Sequence, residues 1–132
     1  MKKIGLLNSD ISKVISEMGH TDMLVICDAG FPIPKEVERI DLAITEGFPN
    51  FFEVLEKVLI ELEVEKVIIA KESEEYNPDF RKKVKEIFKD KDYEEVEHIK
   101  FKELSRNARA VIRTADITPY SNIILVSGIT YL

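Results

Sequence analysis

His20, Asp28 and His98 are the side chains whose types best suit moving protons, and Tyr120, Ser121 and Asn122 form a compact run of hydroxyl and amide groups. An imidazole titrates near neutrality, and a carboxylate accepts protons or hydroxyl hydrogen bonds, so the first three suit acid–base work. The second three lie in Thr118-Pro119-Tyr120-Ser121-Asn122 and suit a ligand that presents hydroxyls around an apolar ring. Each also has a plainer explanation. His20 follows Gly19 at the end of an apolar helical stripe, where a charged imidazole would cap the helix and meet its dipole. Asp28 follows four apolar residues and precedes Ala29-Gly30, so it could nucleate a turn by binding backbone amides. His98 could be a solvated strand or loop residue, and a turn alone accounts for Pro119 and Asn122. Arg113, at the end of another apolar run, could hold a buried carboxylate, Asp28 or Asp41.

Other chemistries lack their parts. There is no G-x-G-x-x-G and no G-x-x-x-x-G-K-[ST] for a nucleotide pocket, and no H-E-x-x-H or cysteine cluster for zinc. His20, His98 and Asp28 could chelate a metal, but nothing in their spacing requires one, and none is expected. Cys27 is the lone cysteine and lies in an apolar run, which suits packed core rather than a nucleophile. It also leaves no partner for a disulfide within the chain, which fits a reducing compartment. The net charge of −6 is spread as mixed Lys and Glu without a basic stripe, so phosphate backbones should be repelled and nucleic acid is not expected. No apolar run approaches the roughly 20 residues that span a bilayer. A cytoplasmic protein without membrane contact is the expectation.

These residues need elements to position them. Asn8-Ser9-Asp10 can cap a helix whose inner face is Ile11, Val14, Ile15 and Met18, with Gly19 as a left-handed stop. Met23 to Cys27 reads as a buried strand, and Pro32 and Pro34 bar a regular element just beyond it. Ile40, Leu42 and Ile44 alternate as a shorter strand. Phe52, Leu55, Val58, Leu59 and Leu62 form a helical stripe that leads directly into a strand over Val67 to Ala70. Asn77-Pro78 opens another helix, with Phe80, Val84, Ile87 and Phe88 facing inward. A strand over Tyr93 to Ile99, a short helix from Phe101 to Ser105, and strands over Ala110 to Arg113 and Ile123 to Val126 complete the chain. The apolar tail Gly128 to Leu132 suits packing against a neighbour. Helices alternating with β-branched strands predict an α/β fold of three layers, a central β-sheet flanked by helices, in one domain over 1–132. In such sheets functional side chains gather beyond the carboxyl ends of strands, where Asp28 falls.

Several of these segments, taken in order, resemble the D-ribose pyranase family and its relatives, the fucose mutarotases. The matching residues are Leu7-Asn8-Ser9, Gly19-His20-Thr21-Asp22, Asp28-Ala29-Gly30-Phe31-Pro32-Ile33-Pro34, Ile40-Asp41-Leu42, Ala110-Val111-Ile112-Arg113-Thr114 and Thr118-Pro119-Tyr120-Ser121-Asn122. The stretch from Lys71 to Glu97 adds little. The resemblance implies that His20 is a proton donor, that Asp28 and His98 contact a sugar, and that Tyr120, Ser121 and Asn122 complete its binding site. It also implies interconversion of pyranose and furanose forms of D-ribose, no cofactor, and a cytoplasmic homo-oligomer, a decamer, with sites near subunit boundaries. Exchange of fucose or other sugar anomers, sugar binding without catalysis, and a purely structural oligomer stand as alternatives. Phe31 and Ser121 depart from the family pattern, which has a smaller aliphatic residue and commonly alanine at these places. Both departures bear on pocket width and hydrogen bonding more than on the reaction type.

Overall fold

The computed structural model describes residues 1–131, so Leu132 of the expected tail lies outside the described residues. Helix α1 (Ser9–Glu17) is capped as its sequence requires: the Asn8 side chain accepts the Ile11 N–H, and Ile11 and Val14 bury the inner face. The helix does not stop on a left-handed Gly19. Its cap is Met18 in extended conformation, and the left-handed residue is Thr21, with φ 71°. Asp22 accepts the Gly19 N–H at 2.8 Å, and that bond closes the turn in place of the expected glycine geometry. Strand β1 (Met23–Cys27) follows, buried from Leu24 onward.

Strand β2 (Glu38–Asp41) is shorter than the alternation through Ile44 predicts. Beyond Asp41 the chain turns through an isolated bridge between Thr45 and Phe48, which leaves Ile44 exposed. Helix α2 (Phe51–Glu61) opens with a capping box in which Asn50 and Glu53 each accept the other's backbone N–H. Strand β3 (Val64–Ala70), the single-turn helix α3 (Ser73–Tyr76) and helix α4 (Pro78–Ile87) follow. Proline in the first turn of α4 costs no bond, because that N–H would have no helical partner. Ile87 is not on the inward face of α4, which is built by Phe80, Val84 and Phe88. Strand β4 (Asp92–Val96) ends before the predicted Ile99, and helix α5 (His98–Ser105) starts three residues earlier than predicted. Strands β5 (Ala110–Arg113) and β6 (Ile123–Ser127) complete the sheet.

The strand order is β2-β5-β1-β6-β3-β4. Strand β1 runs parallel to β5, and β5 to β2, while β3 runs parallel to β4. Only β6 is reversed, and it pairs antiparallel with both β1 and β3. The carboxyl ends of five strands and the amino end of β6 therefore share one end of the sheet. Side chains alternate across the pleat, so the buried strands supply two cores. Leu24, Ile26 and Ile112 pack against α1, α2 and α4 on one face. On the other, Val25, Cys27, Val111 and Ile124 pack against Phe31 and against Phe101 of α5. These are the three layers expected, with Cys27 fully buried and its thiol pushed up by that burial. Among the described residues, no helix is long and apolar enough to cross a membrane.

Candidate active site

Asp28 is the first residue beyond β1, and Asn122 is the last before β6. Because these strands pair with Ile26 opposite Ile123, residues 94 positions apart meet: the Asp28 N–H donates to Asn122 Oδ1 at 2.8 Å. The carboxylate accepts the Gly30 N–H at 3.1 Å, so the turn-forming explanation of Asp28 holds. It does not exhaust the residue. Burial pushes the Asp28 carboxyl above its ordinary value, against the opposing pull of the Gly30 N–H, the Asn122 side chain and the Phe31 N–H. Arg113 does not pair with it. Its guanidinium binds Asp41 at 3.0 Å and donates to the Ala29 carbonyl at 3.0 Å, bracing the loop from outside. Asp41 itself is exposed, so the buried carboxylate expected for Arg113 is a surface one.

His98 opens α5 rather than lying on a strand or loop. Its backbone N–H donates to both oxygens of Glu72, at 3.0 and 3.1 Å. This distant carboxylate supplies the helix cap that the local sequence lacks, since Glu97 makes no side-chain capping bond. The imidazole sits among aromatics: edge-on to Tyr120 with centroids 5.0 Å apart, edge-on to Phe31 at 6.1 Å, and stacked near Phe101 at 6.2 Å. Its Nδ1 is buried without a hydrogen-bond partner among the described residues. Burial, with help from the Lys102 charge, lowers the His98 pKa below its ordinary value, against the opposing Glu72 charge. A neutral ring with its proton on Nε2 avoids burying an unpaired Nδ1–H.

Tyr120 has φ 62°, a left-handed backbone that costs a non-glycine residue roughly 1–2 kcal/mol. The buried Asn77 amide holds it there from outside, donating to the Pro119 carbonyl and to Ser121 Oγ, both at 3.0 Å. Tyr120 and Asn122 face one hollow and Ser121 another. Asp28, Phe31, His98, Tyr120 and Asn122, with Gly30, Pro32 and Pro119, line a cavity of about 290 Å³. That is near the lower bound of roughly 300 Å³ for small-molecule sites and fits a small, hydroxyl-rich ligand.

Two residues expected in the site lie elsewhere within the chain. Ser121 is buried with its hydroxyl on Asn77, and it faces a separate hollow with Asp116 and Phe80. His20 precedes β1 and so sits at the opposite end of the sheet, a strand length of about 17 Å away. It does not cap α1 either, because its Nε2 meets Glu65 Oε1 at 2.6 Å and both side chains are about half exposed.

Three contributors were not singled out from the sequence: Glu72, Asn77 and Asp116. Asp116 accepts the Phe51 N–H at 3.0 Å and the Thr118 N–H at 2.9 Å, while its carbonyl accepts the Ala29 N–H. It thereby joins the start of α2 to the loops after β5 and β1. Its bond to Thr118, two residues on, is an Asx turn that Asp-Ile-Thr could have signalled. Glu72 and Asn77 carry no local signal, because each acts on a partner more than twenty residues away. No group of three His, Cys, Asp or Glu side chains placed to hold a metal occurs among the described residues.

A mixed sheet with one reversed strand, and a small, largely apolar-walled cavity holding a half-buried carboxylate and an imidazole at that strand's mouth, define an α/β protein built to handle a hydroxylated small molecule. The chain belongs to the RbsD / FucU transport protein family, whose model matches residues 1–130. It is 53% identical over 131 residues to the D-ribose pyranase of Clostridium perfringens, covering 99% of this chain and all of that one. It is 47% identical to the D-ribose pyranase of Geobacillus thermodenitrificans, covering 99% of each. Among solved structures, Bacillus subtilis RbsD complexed with D-ribose superposes with a TM-score of 0.97 at 42% identity, covering 99% of this chain and all of that one. The fucose mutarotase of Streptococcus pneumoniae shares the fold, with a TM-score of 0.80 at 23% identity, covering 99% of this chain and all of that one.

Proposed function

We propose that this chain is an isomerase that interconverts the pyranose and furanose rings of D-ribose by acid–base ring opening and closure. The observation that carries the reading is the cavity at the mouth of β6, in a chain that aligns end to end with D-ribose pyranases at 47–53% identity. Fucose exchange is the weaker reading, because the likeness to the fucose mutarotase is one of fold.

Each ring form is a hemiacetal. To open it, the ring oxygen gains a proton while the anomeric hydroxyl loses one, which leaves the open-chain aldehyde and a free hydroxyl. A different hydroxyl then attacks the aldehyde carbon and gives up its proton as the carbonyl oxygen takes one. No proton is consumed overall. Asp28, whose burial raises its proton affinity, accepts the proton of the reacting hydroxyl or holds that hydroxyl in place. His98, kept neutral, donates a hydrogen bond from Nε2. Tyr120 and Asn122 fix the sugar's orientation, and orientation governs much of the rate. Ser121 contributes its backbone position, since its hydroxyl faces away.

His20 is the proton donor in this scheme, and it cannot reach the cavity of its own chain. The donor comes from a second copy that presents the amino end of its β1 at this cavity. The protein is accordingly a homo-oligomer with sites between subunits, a decamer in the cytoplasm by family resemblance. Co-assembly tests this. His20→Ala and Asp28→Asn, each inactive alone, should regain ribose exchange when mixed after dissociation, read by magnetisation-transfer NMR. Failure of mixed assemblies to exceed the parents would reject a shared site, and a fully active His20→Ala would reject the donor.

A further inference from the structure

We infer that segment 72–77, the turn containing α3, is a yoke that sets the separation of His98 and Tyr120, with Glu72 and Asn77 as its two positioning residues. The inference rests on reading those two rings as sugar contacts.

The segment leaves the carboxyl end of β3 and enters α4, and it sends one polar side chain to each wall of the cavity. At its start, Glu72 takes the His98 N–H on both oxygens, which fixes where α5 begins and so where the imidazole stands. At its end, Asn77 donates both its amide bonds to the other wall, at Pro119 and Ser121, on either side of Tyr120. Asn77 is 7% exposed and its backbone, at φ −154° and ψ 60°, joins the end of α3 to the start of α4. The yoke is itself anchored: buried Ser73 donates to the Ala70 carbonyl at 2.7 Å, tying the turn to the end of β3. Tyr76, between the two positioning residues, lays its ring 5.7 Å from Tyr120.

The two rings also share the sheet, since β3 pairs with both β4 and β6, but the sheet ends before either ring. One belongs to α5 on one face of the sheet, and the other to the loop before β6. Beyond the sheet, 72–77 is bonded to both walls, and their rings meet edge-on with centroids 5.0 Å apart. The left-handed backbone of Tyr120 is strained, and the two Asn77 bonds hold the residues on either side of it. Ser121 is part of the same device. Its hydroxyl offers Asn77 a second acceptor.

Steady-state ribose exchange and crystal structures of assembled variants test the yoke. Asn77→Ala should raise KM for ribose about tenfold, the effect of two lost hydrogen bonds, with a smaller change in kcat. The His98 and Tyr120 centroids should separate beyond 5.0 Å. Asn77→Asp keeps the shape but loses the amide donors, and should behave alike if the alanine variant fails to fold. Glu72→Ala should raise KM about fivefold, and Glu72→Gln, which keeps an accepting oxygen, should restore most of it. Unchanged ring separation and KM in the Asn77 variants would overturn the yoke. Separated rings with an unchanged KM would overturn the sugar-contact reading, and the inference with it.

Discussion

The two ends of the sheet carry the same kinds of side chain and treat them in opposite ways. At the amino end of β1, His20 meets Glu65 and Asp22 meets Arg109 at 3.1 Å, all in pairs open to water. At the carboxyl end, Asp28 and His98 are partly withdrawn from water, and their proton affinities move in opposite directions, the carboxyl up and the imidazole down. Desolvation disfavours the charged form of each, which is why one physical cause produces opposite shifts. The reversed strand β6 accounts for the difference between the ends. Its amino end delivers Tyr120 and Asn122 against Asp28, whereas its carboxyl end delivers only Ser127, whose N–H and carbonyl tie down Asp22 and Thr21. A partly enclosed cavity stands at one end and a solvated ion-pair surface at the other. Only contact between copies can bring the two chemistries together.

Substitutions at the two ends should separate this contrast. The largest effect is expected at Asp28. Asp28→Asn keeps an oxygen for the Gly30 N–H but cannot take a proton, so ribose exchange should fall by about 10²–10⁴-fold in magnetisation-transfer NMR. Stability should move the other way. The folded protein holds the Asp28 proton more tightly than the unfolded chain does, so its contribution is full below pH 3.8 and is lost as pH rises through the raised value. At pH 7 the ionised group is a cost, and the thermal midpoint of Asp28→Asn should equal or exceed that of the parent. A lower midpoint would break the claim that this end withdraws its carboxylate from water.

A smaller effect concerns His98. Its proton affinity is lower in the folded protein, so the stability it contributes is present above pH 6.5 and is lost as pH falls through the lowered value. Ribose affinity measured by calorimetry should follow the same course, level above pH 6.5 and declining by at most about tenfold per unit below the lowered value. His98→Gln, which keeps a neutral donor, should flatten that limb, and an unaltered limb would assign the titration to another group.

Phe31 comes next. It packs edge-on against His98 and Phe101, so Phe31→Leu should widen the cavity and improve the KM of a six-carbon sugar relative to ribose by up to about tenfold. Unchanged selectivity in a sugar panel would show that Phe31 is packing alone. The smallest effect belongs to the open end. Arg109→Ala breaks the pair with Asp22, yet in the dissociated chain it should change stability by less than about 1 kcal/mol in denaturant titration. A larger loss would mean that this end is more shielded than its exposure indicates.

How much of this was legible in the sequence follows the range of each interaction. The caps of α1 and α2 and the proline start of α4 are local, and so they could be read. Strands β1, β5 and β6 were bounded within a residue, because short apolar runs flanked by polar residues leave few alternatives. The start of α5 was missed because its cap is Glu72, 26 residues away. The end of β2 was missed because alternation persists into a turn that tertiary contacts impose. The left-handed residue after α1 was misplaced onto Gly19 because Asp22, three residues on, closes that turn. For the site, type and order drew attention to Asp28, His98, Tyr120 and Asn122, but also to Ser121 and His20, which this chain directs elsewhere.

The sequence by itself determined which segments form buried strands, which helix faces turn inward, and which few side chains could move a proton, since all three follow from residue type and short-range periodicity. Tertiary structure alone decided which of those side chains share a cavity. Reversing β6 places residues 94 apart in contact, and pairing across a sheet carries no mark in either strand taken singly. It also decided how each one titrates, because burial is a property of the packed whole.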